Sequence, residues 1–226
     1  MKTLSEQLFE DFCAAHGLAA RPIDRACEKT PDYEVERFGR PVVFEVKQLD
    51  PNRQDAVARE VLHNGEAFAD YQRNRVRPIL KHVSPQLKSA SQKGKPGILL
   101  VFNNTPFSAG TDPDSVLQAM YGRKRVVVSF DEQGLPSTSD PFLAGDEGVT
   151  PTENTSMSAL CVLRRHGDGS LSLDVFHNRW ATIRLDPGWF AGLPARQLVV
   201  ADDGHFCGHG AWPELRRWGL IEQPLQ

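Results

Sequence analysis

Two short runs flanking Phe38-Gly39-Arg40 constrain the fold more than any other part of the chain. Asp32–Arg37 and Pro41–Leu49 both alternate polar and apolar residues, the two-residue period of a β-strand, and the residues between them make a tight hairpin turn. In the second run Val42, Phe44 and Val46 point to one face, and Glu45 and Lys47 to the other. The apolar set fixes the register, because a slip of one residue would bury both charges. With a turn near Gly39, Asp32 lies opposite Glu45 or Val46. Two carboxylates then sit on adjacent strands, within reach of one ion.

The rest of the chain supplies elements to pack on that hairpin. Ser5 is placed to cap a helix whose apolar face is Leu8, Phe9, Phe12 and Cys13, and Gly17 is placed to end it. Ala20–Asp24 is a third strand candidate. Residues 52–71 are charged and partly helical, and Pro78–Ser91 is helical with a break or bend at Pro85. Gly97–Asn103 is a continuous apolar strand of the kind buried on both faces. A short helix over Asp114–Tyr121 and a strand over Arg125–Phe130 follow. Residues 131–156, dense in Gly, Pro, Ser, Thr and Asp, form the longest loop. Ala159–Arg165 and Ser170–Phe176 read as a second hairpin, and Arg179–Leu185 as one more strand. The remainder, with Trp189, Trp212 and Trp218, is loops and short helices. This order predicts one α/β domain on a central mixed β-sheet flanked by helices. Residues 1–130 are its core, and 131–226 a loop and β-rich C-terminal extension of the same domain.

Composition narrows the function. No apolar run is longer than that of Ile98–Phe102, far short of the roughly 20 residues of a membrane-spanning helix. Acids stand near the N-terminus where a signal peptide would be apolar, and Cys13, Cys27, Cys161 and Cys207 form no CxxC pair. These features predict a cytoplasmic chain with reduced thiols and no membrane partner. A net charge of −3 argues against coating nucleic acid by bulk electrostatics. Charge is nevertheless uneven. Residues 72–95 hold seven of the 26 basic residues and no acid, and Arg73, Arg75, Arg77 and Lys81 are the candidates there for phosphate contacts.

Two close carboxylates repel unless something positive lies between them. Lys47 supplies part of that charge and a hard divalent cation would supply more. Mg²⁺ takes oxygen ligands and keeps several waters, so one or two carboxylates, a backbone carbonyl and a phosphate oxygen suit it. A lysine beside such an ion can orient a water for attack on phosphorus. The pattern Pro31-Asp32 followed by Glu45-x-Lys47 resembles the signature of the PD-(D/E)xK nuclease superfamily, which includes restriction endonucleases and Holliday junction resolvases. The helix, strand triplet, helix and strand of residues 3–103 match that superfamily's core in order.

The resemblance implies a restriction-endonuclease-like core (αβββαβ). It implies that Asp32 and Glu45 bind Mg²⁺, with Mn²⁺ able to substitute, that the Val46 carbonyl adds a ligand, and that Lys47 positions the attacking water. A glutamate of the first helix often assists in this superfamily. Glu6 fits best here and Glu10 is the runner-up. Gln48 recurs after the lysine in some branches, and Gln86 is a further candidate for the groove. The expected activity is a metal-dependent endonuclease, with DNA ahead of RNA as substrate and a homodimer or partner protein compatible with two-strand cutting. The rival expectation is a catalytically silent nuclease fold that binds nucleic acid or protein.

Other motifs carry less. His205-Phe206-Cys207-Gly208-His209 has metal-ligand types but lacks the second pair that structural zinc requires. Gln92–Gly97 lacks the Walker spacing and precedes a strand instead of following one. Trp212 and Trp218 read as a packing stripe, and His177-Asn178 as a strand end that lines a cleft or caps a turn.

Overall fold

In the computed structural model of the chain, residues 2–24, 30–64, 75–105, 110–139, 142–200 and 220–223 are described. Helix α1 (Leu4–Ala15) starts from a capping box two residues earlier than Ser5 suggests. Thr3 Oγ1 accepts the Glu6 amide at 3.3 Å and Glu6 Oε2 accepts the Thr3 amide at 2.7 Å. Ser5 is instead buried inside the first turn, its amide donating to Gln48 Oε1 at 2.9 Å. The apolar face is the expected one, Leu8, Phe9, Phe12 and Cys13, all buried.

Strands β1 (Ala20–Pro22), β2 (Tyr33–Arg37) and β3 (Arg40–Leu49) form an antiparallel triplet. Arg37 faces Arg40, so the turn is the two residues Phe38 and Gly39, with φ of 52° and 70°. Positive φ at both positions is the turn geometry that matches strand twist, and at Phe38 it strains a bulky side chain. The Phe38 ring is exposed, with the Arg37 guanidinium over it at 4.5 Å.

Helices α2 (Arg53–His63) and α3 (Val76–Gln92) lead to β4 (Gly97–Asn103), which runs parallel to β3. α3 passes through Pro85 without a break. Pro85 and Lys81 are both exposed, so the carbonyl that Pro85 leaves without a helical donor is on the wet side of the helix.

Beyond α4 (Pro113–Tyr121) the expected strand at 125–130 is two pieces in two ribbons. β5 (Arg123–Arg125) and β6 (Val128–Phe130) are followed by β7 (Pro136–Thr138) and β8 (Phe142–Ala144), and β5 pairs with β8 while β6 pairs with β7. The long loop therefore contains strand, and position 130 lies inside a hairpin. β9 (Ala159–Arg165) and β10 (Leu171–His177) make the expected second hairpin.

Residues 179–185 are not a strand. Asn178 turns the chain there: its side chain donates to the Met157 carbonyl at 2.8 Å and accepts the Trp180 amide at 2.9 Å. The next strand, β11 (Ala195–Val200), lies parallel to β10, so the intervening residues are used as a crossover. β12 (Leu220–Gln223) completes a mixed eight-stranded sheet in the order β1-β2-β3-β4-β9-β10-β11-β12. The chain is α/β, and β9 seats the C-terminal half directly beside β4.

Both sheet faces are covered. On one, α1 packs over Val42, Phe44, Val46, Ile98 and Leu100; on the other, α3 and α4 cover Val43, Leu49, Leu99, Val101 and Leu160. This second layer buries the face to which Glu45 belongs. No helix among the described residues is long and apolar enough to cross a membrane.

Candidate active site

Asp32 precedes β2 at a local irregularity. Phe44 stands opposite Tyr33 in the ladder, yet its carbonyl also accepts the Asp32 amide at 2.9 Å. Two residues oppose one, as in a β-bulge, a device that re-aims a side chain. The Asp32 carboxylate reaches past the end of the pairing, and Oδ2 accepts the Val46 amide at 2.8 Å. Asp32 is 7% exposed. The ladder ends at Tyr33 opposite Phe44, and of the two partners open to the sequence the Asp32 side chain bonds Val46.

Glu45 is 2% exposed, contrary to a surface cluster of charges on an open sheet. Lys47, two residues along the same face, donates its Nζ to Glu45 Oε1, and its side chain is 36% exposed. The lysine thus spans from a buried carboxylate to solvent. The Asp32 and Glu45 carboxylates are hard oxygen donors suited to Mg²⁺. In an extended strand a residue's amide and carbonyl leave on the same side, so the Val46 carbonyl lies along the edge that bears Asp32. Among the described residues no three His, Cys, Asp or Glu side chains come together as a metal-binding group. Two carboxylates and one carbonyl remain within what Mg²⁺ accepts, because it retains waters in the other positions.

The first-helix acids are engaged locally. Glu6 Oε2 serves the capping box, also accepting Thr3 Oγ1 at 2.9 Å. Glu10 pairs with Lys2 at 2.7 Å and accepts the Tyr33 hydroxyl at 2.9 Å. The Lys2 bond holds the Glu10 carboxyl below its usual range, against a smaller opposing effect of burial. Burial first, then the Glu10 bond, pushes the Tyr33 phenol up, and the charges of Glu6 and Asp32 add to this.

A polar cluster that the motif did not flag lies where β3 and β4 end. Asp50 accepts Asn104 Nδ2 at 2.9 Å and Gln48 Nε2 at 2.6 Å, and these bonds lower its carboxyl's pKa, the Asn104 bond most. Gln48 therefore links the α1 N-terminus to Asp50. Its place after Lys47 was the only sequence signal for this role.

The basic stretch is divided. Arg73 lies outside the described residues. Arg75 bonds the Asp50 carbonyl and the buried Asp55 carboxylate, the latter at 3.1 Å. Arg77, its side chain 17% exposed, donates to the Gln118 carbonyl at 2.6 Å and tethers α3 to α4. These two guanidiniums hold the chain together instead of standing out to meet a phosphate. Their positions at the start of α3, with acids and carbonyls from α2 and α4 beside them, explain the difference. Lys81 is exposed, and Gln86 is half-buried.

His177 ends β10, and Asn178 beside it caps the turn that follows by accepting the Trp180 amide at 2.9 Å. His177 is buried against Gln197 at 2.9 Å, and burial lowers its pKa. Cys13 is buried, its thiol pushed up to about 12, chiefly by burial. Cys161 is likewise buried and shifted upward. Cys27, the His205–His209 segment, Trp212 and Trp218 lie outside the described residues. No family model, curated protein or solved structure matches the chain.

Proposed function

We propose that the chain is a metal-dependent nuclease of the PD-(D/E)xK type that hydrolyses phosphodiester bonds, with DNA as its substrate. The observation that carries this reading is the placement of Glu45: a buried carboxylate at the sheet interior, in contact with Lys47 and one strand from an Asp32 anchored on the Val46 amide. Burying an acid in this way costs stability that an apolar residue of similar volume would not. A surface salt bridge would carry no such cost, and it would also contribute little.

Asp32, Glu45 and the Val46 carbonyl would hold Mg²⁺, or Mn²⁺ in its place. Bound there, the ion would act as a Lewis acid toward a phosphate oxygen and lower the pKa of a coordinated water. The Val46 amide fixes the Asp32 carboxylate before substrate arrives, which removes a reorganisation cost. Lys47 reaches from Glu45 to solvent, where its ammonium orients the attacking water and offsets charge growing on the phosphate. Lys81 offers a phosphate contact on α3. Glu6 acts in this reading through the geometry of the α1 N-terminus.

The test is cleavage of supercoiled plasmid, linear duplex, single-stranded DNA and RNA in Mg²⁺, Mn²⁺ or EDTA, by the parent chain and by Glu45→Ala and Lys47→Ala. Metal-dependent cleavage of DNA, lost in both variants, is the expected result. Undiminished cleavage by either variant, or in EDTA, would remove the assignment. Binding of nucleic acid without turnover in either metal would favour the silent binding module instead.

A further inference from the structure

Every residue from 125 to 139 is exposed, although β6 and β7 within that span are hydrogen-bonded strand. The β6–β7 ribbon pairs with itself and with no strand of the main sheet. Its pairing, Val128 opposite Thr138 and Phe130 opposite Pro136, puts Val128, Phe130, Pro136 and Thr138 on one face. Val127, Ser129, Ser137 and Ser139 share the other, where the Val127 amide donates to Ser139 Oγ at 2.9 Å. Val126, Val128 and Phe130 are 51%, 50% and 69% exposed. An isolated two-stranded hairpin is marginal in water, and its stability needs a further surface on the apolar side.

The tip is well made. Asp131 Oδ1 accepts the Gln133 amide at 2.9 Å and the Leu135 amide at 2.8 Å, and Gly134 takes a φ of 77°. The arm is therefore a built feature with a charge gradient: Arg123 and Arg125 at its root, Asp131 and Glu132 at its tip. An acidic tip is repelled by the phosphates of a nucleic-acid groove. It is complementary to the root of an identical arm running the opposite way.

We propose that residues 125–139 form a dimerisation arm that packs face to face, antiparallel, on the same arm of a second copy of this chain. A two-fold axis near Val128 sets the Val128 side chains of the two copies together, Phe130 of each against the root of the other arm, and Arg125 beside the other copy's acidic tip. The interface is isologous and closes at two copies. Its apolar centre lies within a charged rim, and the charges set the direction of pairing. This inference stands apart from the nuclease reading.

Sedimentation velocity of the full chain across a concentration series tests it. The parent chain sediments as a dimer. Val128→Asp raises the dimer dissociation constant at least about tenfold, with the far-ultraviolet spectrum unchanged because the site is exposed in the single chain. Arg125→Glu weakens the dimer, and adding Glu132→Lys to it restores assembly; Glu132 is used because Asp131 holds the turn. A parent chain that stays monomeric at the highest concentration, a dimer indifferent to Val128→Asp, or a double charge reversal without rescue would each overturn the proposal.

Discussion

Asp32 and Val46 are joined by a buried hydrogen bond, carboxylate Oδ2 to backbone amide at 2.8 Å, across the end of the β2–β3 ladder. The bond gives Asp32 a structural duty beside its proposed chemical one, and two variants separate them. Asp32→Asn keeps an oxygen acceptor for the Val46 amide but loses the negative charge. It is expected to retain the parent melting temperature while cleavage falls at least about a hundredfold, the scale of a lost charge–metal contact. Asp32→Ala leaves a buried N–H without an acceptor and is expected to cost about 1–3 kcal/mol by urea denaturation. An alanine variant as stable as the parent would show that the bond matters little.

Glu45 and Lys47 should separate in the same spirit, by metal binding instead of stability. Glu45→Gln keeps the shape and removes a buried charge, so its melting temperature should hold or rise while Mn²⁺ affinity, read by titration calorimetry, drops at least about tenfold. Lys47→Met keeps the aliphatic stem and should leave Mn²⁺ affinity intact or higher while turnover disappears. Loss of Mn²⁺ binding in Lys47→Met would place the lysine among the groups that assemble the site.

The hairpin and its two carboxylates were legible in the sequence because a strand's two-residue period is local, and Phe38-Gly39 marks the turn without ambiguity. The two-faced burial of Ile98–Phe102 was legible for the same reason. The burial of Glu45 was not, because it depends on α3 and α4 covering that face, a contact between segments remote in sequence. The basic stretch misled in the same way. Arg75 and Arg77 look like solvent-facing charge until Asp50, Asp55 and Gln118 are brought beside them. The missing strand at 179–185 turned on Asn178, whose hydrogen bonds to residues over 20 positions earlier no local pattern announces.

Arg75 and Lys81 accordingly should behave as different kinds of residue. Arg75→Ala is expected to lose about 1–3 kcal/mol of stability, since buried Asp55 keeps its charge and loses a partner; the partial exposure of Arg75 keeps the loss below that of a fully buried pair. Lys81→Ala should leave stability within about 0.5 kcal/mol and weaken DNA binding, with a shallower dependence on salt. Fluorescence anisotropy at several salt concentrations, beside urea denaturation, reads both. A normal salt slope in Lys81→Ala would take that residue out of the phosphate interface.

His177 gives the fold a dependence on pH. Its imidazole is buried beside Gln197 and its pKa is lowered, burial being the main cause. The folded state therefore resists protonation that the unfolded chain accepts at about pH 6.5. Above that value both states are neutral and the stability is fully present. As pH falls through it toward the lower folded value, the unfolded state gains protons first and stability declines. Urea midpoints at pH 7.5 and 5.5 should show the decline in the parent and a smaller one in His177→Gln. Equal declines would assign the effect to other groups.

The adjacency of β4 and β9 bears on how the molecule comes to be folded at all. The two strands lie side by side in the centre of the sheet although a long stretch of chain separates them, and the parallel pair is completed by residues up to Leu163. A nascent chain that has emerged only through β4 presents Ile98–Phe102 as an open edge, apolar on both sides, with no strand to close it. Such an edge is a template for intermolecular pairing, and closing it requires a slow, non-local search. The first 130 residues are thus expected to aggregate when made alone, and the chain's most vulnerable interval during synthesis is the wait for β9.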